Sequence, residues 1–224
     1  MTDVVRRERA HTRTAILALA FVFAFVVLRR PRDPSLPLET LVDGAVPSNA
    51  RVLVFLHGRG VDLGREKAII DRLRRGGVTM PIVLVEGPYP SGLGQGWGDT
   101  PAEQTSSRQR IRARLDALGV SRVVIAGFSQ GAGVALDVAV EDRRVEAVAS
   151  FAPCASWLRG DLPKREGLRV LLVHGAHDWR CDVEESRSLA KVMESAHRPV
   201  QYIEHEGGHA IPAEGLRALV ELSR

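Results

Sequence analysis

The sequence is poor in cysteine and in aromatic side chains, and it lacks an apolar run long enough for an ordinary membrane span. Its 224 residues include two cysteines, and aromatic residues make up 5%. Two cysteines cannot build the multi-bridge framework of a small secreted domain or a zinc site of the usual cysteine-rich kind. The cysteine count therefore gives no indication of a metal site. The length of the chain suits one domain with a short extension.

Positive charge is concentrated near the N-terminus. Of the 31 basic and 27 acidic residues, residues 1–32 contain seven arginines and two acidic residues, which leaves 24 and 25 for the rest of the chain. A body with almost no net charge argues against nucleic acid as a partner. A basic tail favours a segment that lies close to a membrane.

The longest apolar run, residues 15–28, follows this basic stretch. It contains 14 residues without a polar side chain and ends in the sequence Arg29-Arg30-Pro31-Arg32. At about 1.5 Å per residue it spans about 21 Å, which is short of the bilayer core of about 30 Å. The A-x-A sequence lies inside the run, too early for cleavage, so we predict an uncleaved membrane anchor over residues 1–32 and a globular domain over 33–224. A buried core helix is the alternative.

Apolar runs alternate with helical patterns from residue 38 onward. The predicted strands are 38–42, 51–56, 81–86, 122–126, 145–151, 168–173 and 199–204, and the predicted helices are 63–75, 109–118, 132–140, 184–196 and 213–222. This alternation predicts an α/β fold with a mostly parallel sheet and helices on both faces. Residues 87–107 are expected to form a long functional loop. The short segment 154–167 leaves no room for a large cap domain, so the site should be open and shallow.

The sequence Gly127-Phe128-Ser129-Gln130-Gly131 lies between a predicted strand and a predicted helix. Strand, G-x-S-x-G and helix together form the nucleophile elbow of an α/β-hydrolase, in which a tight turn projects the serine hydroxyl from the sheet edge. The glycines let strand and helix approach each other, and the helix N-terminus directs partial positive charge at the site. We therefore predict Ser129 as the nucleophile. A purely structural turn is the alternative.

A serine hydroxyl needs a base to become nucleophilic, and in this fold an acid and then a histidine follow the serine in the chain. Asp178 lies just after the strand 168–173 and is the predicted acid, with Asp182 as second choice. Two of the seven histidines, His205 and His209, lie beyond the last strand. His209 stands in a glycine-rich turn and is the predicted base, with His205 as the alternative. The alternative for Asp178 is a turn residue that caps the local backbone, and the alternative for His209 is a solvated loop histidine.

Two backbone amides are needed to bind an oxyanion. We predict the amide directly after the nucleophile, that of Gln130, and the amide of Arg59 in the turn after an early strand. Gly58 keeps that turn tight, and we assign it to substrate binding together with Trp97. Filling the core of the loop is an equal alternative for Trp97. The Arg59 side chain either meets an anionic substrate or is solvated.

These motifs resemble, in family order, the α/β-hydrolase carboxylesterase and phospholipase family that includes acyl-protein thioesterases. The matching pieces are His57–Gly60, Gly96–Asp99, Gly127–Gly131, His174–Asp178 and Gly208–Pro212, within about residues 38–222. The resemblance implies a cofactor-free serine hydrolase that cleaves carboxylic esters or thioesters of small molecules or lipids. Val61 before Asp62, and Trp179-Arg180-Cys181 after the acid, depart from the family pattern and line the site. Substrate preference is therefore not carried over.

Two other functions fit parts of the pattern. A serine peptidase uses the same chemistry, but peptidases that this chain could resemble usually carry a further propeller or cap domain. A non-catalytic binding domain displayed on a membrane would be expected to have a broken triad, whereas the sequence contains an intact one.

The usual strand order of this fold also bears on the two cysteines. It makes the strands 145–151 and 168–173 neighbours, so Cys154 and Cys181 emerge at the same sheet edge, where a disulfide is predicted. A bridge requires an oxidising compartment, and we therefore expect the membrane-anchored domain to lie outside the cytoplasm. Two free thiols in a domain that faces the cytosol are the alternative.

Overall fold

A seven-stranded sheet organises residues 37–154 and 159–224, the part of the chain that the computed structural model describes. The strands in these ranges are β1 (Thr40–Asp43), β2 (Arg51–Leu56), β3 (Ile82–Val85), β4 (Tyr89–Ser91), β5 (Gly94–Gly96), β6 (Arg122–Phe128), β7 (Val145–Phe151), β8 (Arg169–Gly175) and β9 (Val200–His205). The main sheet has the order β1-β3-β2-β6-β7-β8-β9. β1 is antiparallel to β3, and the other pairs are parallel.

Helices cover both faces of this sheet, as predicted. They are α1 (Leu63–Glu66), α2 (Ala68–Gly76), α3 (Pro101–Ala117), α4 (Gln130–Glu141), α5 (Val183–Ser195) and α6 (Ala213–Leu222), with a 3-10 helix at Arg159–Lys164. Alternate residues of β2 point to opposite sides. Val52, Val54 and Leu56 pack in the core beneath α3, α4 and α5, whereas Leu53 and Phe55 pack beneath α2 and α6. Burial on both faces explains why these strands read as continuous apolar runs.

The segment predicted as one long loop is more ordered than expected. β4 and β5 form a separate antiparallel hairpin, and α3 begins at Pro101, eight residues before the predicted start at 109. A capping box begins α3, because the Thr100 hydroxyl accepts a hydrogen bond from the amide of Glu103 and the Glu103 carboxylate accepts one from the amide of Thr100. The loop prediction was therefore wrong over its last third, residues 101–107, which are helical. The predicted helix 63–75 is also divided, at Lys67, into α1 and α2.

The predicted membrane anchor and the boundary at residue 33 lie outside the described residues. Within 37–154 and 159–224, no helix is both long enough and apolar enough to cross a bilayer. Between β7 and β8 the described residues form only the short 3-10 helix, in keeping with the absence of a large cap. The carboxyl ends of β6, β7, β8 and β9 consequently carry the candidate site directly.

Candidate active site

The nucleophile elbow lies where the sequence predicts it. Ser129 separates β6 from α4 and has φ 57° and ψ −122°, a backbone conformation that costs energy for any residue with a side chain. A Cβ at Gly127 would lie 2.3 Å from the carbonyl oxygen of Gly131, and a Cβ at Gly131 would lie 2.4 Å from the carbonyl oxygen of His57. Neither position tolerates a side chain without movement of the backbone, which is the physical reason for the G-x-S-x-G spacing.

Asp178 and His209 meet at the ends of the neighbouring strands β8 and β9. Asp178 Oδ2 lies 2.7 Å from His209 Nδ1, and Oδ1 accepts hydrogen bonds from the amides of Arg180 and Cys181 at 2.8 and 3.1 Å. Burial of the carboxyl group opposes its ionisation, but the hydrogen bonds from His209 and the two amides hold the pKa of Asp178 below its ordinary value. An ionised Asp178 keeps the proton on Nδ1 and leaves Nε2 as the basic nitrogen.

The loops that carry Asp178 and His209 are joined backbone to backbone. The amide of Ala176 donates to the carbonyl of His205 at 2.7 Å. A Cβ at Gly175 would lie 2.3 Å from the carbonyl oxygen of Gly208, so the two chains touch there. His205, the alternative base, ends β9, and its Nδ1 accepts the amide of Gly207 at 3.1 Å. His205 therefore bonds within its own loop, and His209 is the histidine that contacts Asp178.

Ser129 and His209 are both nearly buried, with 9% of the serine residue and 8% of the imidazole exposed. The His209 ring packs on Phe128 with the ring centroids 4.8 Å apart. The Ser129 hydroxyl oxygen lies 3.5 Å from Cys154 Sγ. Among the described residues, no hydrogen bond joins the Ser129 hydroxyl directly to the His209 ring. Such catalytic hydrogen bonds often tighten only when substrate binds.

The turn after β2 lies beside the nucleophile. A Cβ at Gly58 would stand 3.4 Å from the Cβ of Ser129, so this turn passes close to the serine. Gln130 begins α4, where the first amides of a helix have no partner within it. The turn after β2 and the start of α4 thus both lie beside Ser129, and the amides of Arg59 and Gln130 remain the predicted oxyanion donors.

The β4–β5 hairpin fixes this turn. The amide of Gly60 donates to the carbonyl of Gln95 at 2.8 Å, and the amide of Gln95 donates to the carbonyl of Val61 at 2.9 Å. The Arg59 guanidinium extends onto the same region, with Nε donating to Ser91 Oγ at 3.0 Å and an ion pair to Asp99 at 2.5 Å. The side chain of Arg59 therefore already has an anionic partner within the protein.

His57 and Trp97 support the turn from behind, and both are fully buried. The His57 Nε2 atom accepts the amide of Gly87 at 2.9 Å, so the proton is on Nδ1, which donates to the carbonyl of Gly58 at 2.7 Å. Burial lowers the pKa of His57 and keeps it neutral. Trp97 Nε1 donates to the carbonyl of His57 at 2.8 Å. Because the Trp97 side chain exposes no surface, it occupies the loop core and does not line a substrate pocket.

The side chain of Gln130 fastens the same loop. Its Oε1 accepts the amide of Trp97 at 2.9 Å, and its Nε2 donates to the carbonyl of Gly98 at 2.8 Å. Asp182, the second choice for the catalytic acid, caps α5 by accepting the amide of Glu184 at 2.9 Å. The structure thus assigns Asp182 a local capping position.

Sequence reasoning missed His174, which lies directly behind the acid. His174 is fully buried, with Nε2 3.3 Å from Asp178 Oδ2 and 3.1 Å from the Cys181 carbonyl, and Nδ1 2.7 Å from Ser186 Oγ. Burial lowers the pKa of His174, so the neutral ring donates through Nε2 and accepts from the serine hydroxyl through Nδ1. A polar residue near the end of an otherwise apolar strand was the available signal.

Cys154 and Cys181 form the predicted disulfide, with their Cα atoms 5.1 Å apart. The bridge joins the loop after β7 to the turn after Asp178, since β7 and β8 are neighbours in the sheet. The two sulfur atoms and one ring nitrogen of His209 all lie within 4.8 Å of one another. The disulfide is therefore part of the wall of the site, beside the nucleophile and the base.

A surface cavity of about 340 Å³ lies beside the site. Its apolar wall is formed by Ala68, Ile69, Phe128, Ala210 and Ile211. Arg65, Glu66 and Arg72 add two guanidinium groups and one carboxylate to the lining. The cavity touches Phe128, which precedes the nucleophile, and Ala210, which follows the base, so it adjoins both.

A sequence model of the FSH1 serine hydrolase family matches residues 102–217, which include the elbow and both of its partners. Among curated proteins, the chain is similar to the biotin biosynthesis bifunctional protein BioHC of Cellvibrio japonicus, with 32% identity over 111 residues. That match covers 49% of this chain and only 20% of the bifunctional protein.

Solved structures with the same fold are numerous. The esterase PE8 superposes with a TM-score of 0.70 at 22% identity, covering 83% of this chain and 97% of PE8. A carboxylesterase of Bacillus cereus gives 0.68 at 16% identity, covering 84% and 94%. Arabidopsis thaliana SOBER1 gives 0.65 at 16% identity, covering 78% and 98%. These similarities establish the α/β-hydrolase fold of the chain.

Proposed function

The chain belongs to the FSH1 family of serine hydrolases, and from this premise we propose that it cleaves carboxylic esters or thioesters through an acyl-enzyme on Ser129. The observation that carries the proposal is the buried Asp178–His209 pair, at 2.7 Å, beside a serine on a strained elbow. A base oriented by an ionised acid is what a serine hydroxyl requires to become nucleophilic.

The proposed steps use the groups that the fold brings together. His209 Nε2 removes the proton as Ser129 Oγ attacks the acyl carbon, and the amides of Arg59 and Gln130 stabilise the oxyanion. Asp178 stabilises the imidazolium, which then protonates the leaving alcohol or thiol. Water, activated by the same histidine, hydrolyses the acyl-enzyme. Each proton transfer in these steps passes through His209.

The cavity beside Phe128 indicates the size of group that the enzyme accepts. Its volume of about 340 Å³ lies near the lower end of the range for small-molecule sites, roughly 300–1,000 Å³. Its apolar wall suits a short acyl or alkyl group, and the charged groups of Arg65, Glu66 and Arg72 favour a substrate with a polar end. Arg59 is a weak candidate for binding an anion, because Asp99 already compensates its charge.

The N-terminal segment is proposed to tether the enzyme to a membrane. The apolar run of residues 15–28 beside several arginines supports this assignment. The disulfide beside the site supports a hydrolase domain that lies in an oxidising compartment, outside the cytoplasm. Thiol labelling of intact cells with a membrane-impermeant reagent, before and after reduction, tests this orientation. Labelling of the cysteines only after the membrane is opened would contradict it.

Covalent labelling tests the catalytic proposal directly. A fluorophosphonate probe should modify the Ser129 peptide, and Ser129→Ala should lose about 10³-fold or more of p-nitrophenyl ester hydrolysis while remaining folded. Modification at another serine would overturn the assignment of the nucleophile. Ser121→Ala is a matched control, because Ser121 lies at the opposite end of β6, where its hydroxyl donates to the carbonyl of Asn49 at 2.7 Å.

A further inference from the structure

The two cysteines of the disulfide lie beside His209, and all three are residue types that bind metal ions. Sγ of Cys154, Sγ of Cys181 and a ring nitrogen of His209 lie within 4.8 Å of one another. Since His209 Nδ1 is bound to Asp178, the nitrogen that remains for a ligand is Nε2, the basic atom of the proposed mechanism. We propose that reduction of the disulfide converts the active site into a Zn²⁺ site, and that bound zinc silences the hydrolase by occupying Nε2.

The distances suit a tetrahedral zinc ion. Two thiolates bound at about 2.3 Å lie about 3.8 Å apart, and a thiolate and an imidazole nitrogen lie about 3.5 Å apart. Because the present sulfur–nitrogen separation is at most 4.8 Å, it would have to shrink by no more than about 1.3 Å. A Cα separation of 5.1 Å lets the two sulfur atoms separate by side-chain rotation once the bond is broken.

The surroundings of the cluster favour zinc further. A histidine that binds zinc usually donates its other ring N–H to a carboxylate, which fixes the ring and raises its basicity. His209 already has this arrangement with Asp178 at 2.7 Å. Half-buried Cys154 lies 3.5 Å from Ser129 Oγ, so the fourth position faces the nucleophile and the substrate side. Water or the serine hydroxyl can complete the coordination there.

The chemistry balances with a phosphine as the reductant. A trialkylphosphine breaks the S–S bond, takes an oxygen atom from water and leaves two thiols. Zinc binding then releases the two thiol protons, so that the ion is held by two thiolates and one neutral imidazole. Oxidation of the thiols by a disulfide reagent expels the metal and restores the bridge.

Zinc titration of the full chain tests the site without reference to activity. The reduced, desalted protein should bind one Zn²⁺ in competition with a chromophoric chelator, whereas the oxidised protein should not. Co²⁺ in place of zinc should give thiolate charge-transfer absorption, which only these residues can produce because the sequence has no other cysteine. Equal zinc affinity of the reduced and oxidised proteins would overturn the proposal.

Substitutions identify the ligands. Cys154→Ser, Cys181→Ser and His209→Gln should each abolish tight binding by the reduced protein, and Asp178→Asn should weaken it by about 10- to 100-fold. His177→Gln is the matched control, since this imidazole is 74% exposed and should leave the affinity unchanged. Retention of tight binding by His209→Gln would overturn the assignment of the base as a ligand.

Ester hydrolysis then tests the silencing, which rests on the proposed function. Zinc should lower the rate of the reduced enzyme by about 100-fold or more, because a metal-bound Nε2 cannot act as a base. A chelator should restore the rate, and the oxidised enzyme should not respond. The double variant Cys154→Ser/Cys181→Ser lacks both the bridge and the thiolates, so its rate should also be insensitive to zinc. Binding through His209 without loss of hydrolysis would overturn the silencing and the role of His209 as base, while the titration would still establish the metal site.

Discussion

Replacement of His174 should weaken the catalytic pair from behind without touching the substrate. His174 Nδ1 lies 2.7 Å from Ser186 Oγ, and Nε2 lies 3.1 Å from the Cys181 carbonyl and 3.3 Å from Asp178 Oδ2. Leucine has a similar volume but neither donates nor accepts a hydrogen bond. His174→Leu therefore leaves two buried partners, the Ser186 hydroxyl and the Cys181 carbonyl, without their hydrogen bonds.

The expected loss of stability follows from these contacts. Each buried polar group left unpaired costs about 1–3 kcal/mol, so His174→Leu should lower the free energy of unfolding by about 2–6 kcal/mol. His174→Gln retains a donor and an acceptor and should lose less than the leucine variant. Urea unfolding of the oxidised protein measures both values, and His177→Gln serves as the exposed control.

Kinetics separates a positioning role from a purely structural one. Displacement of Asp178 rotates His209 out of line, so kcat for a p-nitrophenyl ester should fall by about 10- to 100-fold in His174→Leu. KM should change little, because the cavity beside Phe128 is not altered. If both His174 variants lose stability yet keep the wild-type kcat at a temperature where they are folded, His174 only fills the core and the reasoning is refuted.

Three further predictions concern stability and the N-terminal segment. Replacing both Cys154 and Cys181 by alanine should lower the free energy of unfolding by about 3–4 kcal/mol in urea, since the bridge closes a loop with a sequence separation of 27; an unchanged midpoint would count against the bridge. A truncated chain that starts at Asp33 should remain dispersed without detergent and keep its kcat/KM on short esters, and a folded but inactive product would contradict the domain boundary. His57 and His174 have lowered pKa values in the folded protein, so the unfolded state binds protons at a higher pH than the folded state does. The free energy of unfolding should therefore decrease as the pH is lowered below about 6.5, by up to about 1.4 kcal/mol per pH unit for each histidine. His174→Leu should remove one of these two contributions, and an unaltered slope of stability against pH would argue against a neutral buried ring.

The sheet could be predicted from the sequence because its physical signal is local. Runs such as Arg51–Leu56 and Val145–Phe151 are apolar on both sides of the strand, and the structure gives these two strands the predicted bounds. The elbow could be predicted equally well, because steric contacts at Gly127 and Gly131 dictate the residue types there. The chain order of acid and histidine then limited the partners of Ser129 to a few candidates.

The start of α3 could not be recognised from apolar periodicity. Its first turns are polar, and the buried side chains of Gln104, Ser107 and Arg108 pack there in place of apolar residues. The Thr100–Glu103 capping box was the usable signal. The position of the Trp97 side chain could not be predicted for a different reason. A tryptophan in a loop can face either the solvent or the core, and in this protein the hydrogen bond to the His57 carbonyl holds it in the core.

His174 shows the limit of reasoning from order along the chain. It precedes the acid, so the rule that selects a catalytic base excludes it, and its contact with Asp178 depends on a turn that returns over the end of β8. The hydrogen bond to Ser186 arises only when α5 packs against that strand. Such contacts between the end of a strand and the helix that follows it depend on tertiary packing, and a single sequence does not specify them.

The strained backbone of Ser129 creates a conflict between stability and activity during evolution. With φ 57° and ψ −122°, this residue occupies a conformation that only glycine adopts without strain, which costs about 1–3 kcal/mol for a residue with a Cβ. Selection for thermal resistance alone would therefore favour glycine at position 129, and alanine would offer no such relief because it retains the Cβ. A serine persists there only while its hydroxyl is useful, so a relative that has lost catalysis is expected to drift to glycine and to become more stable as it does.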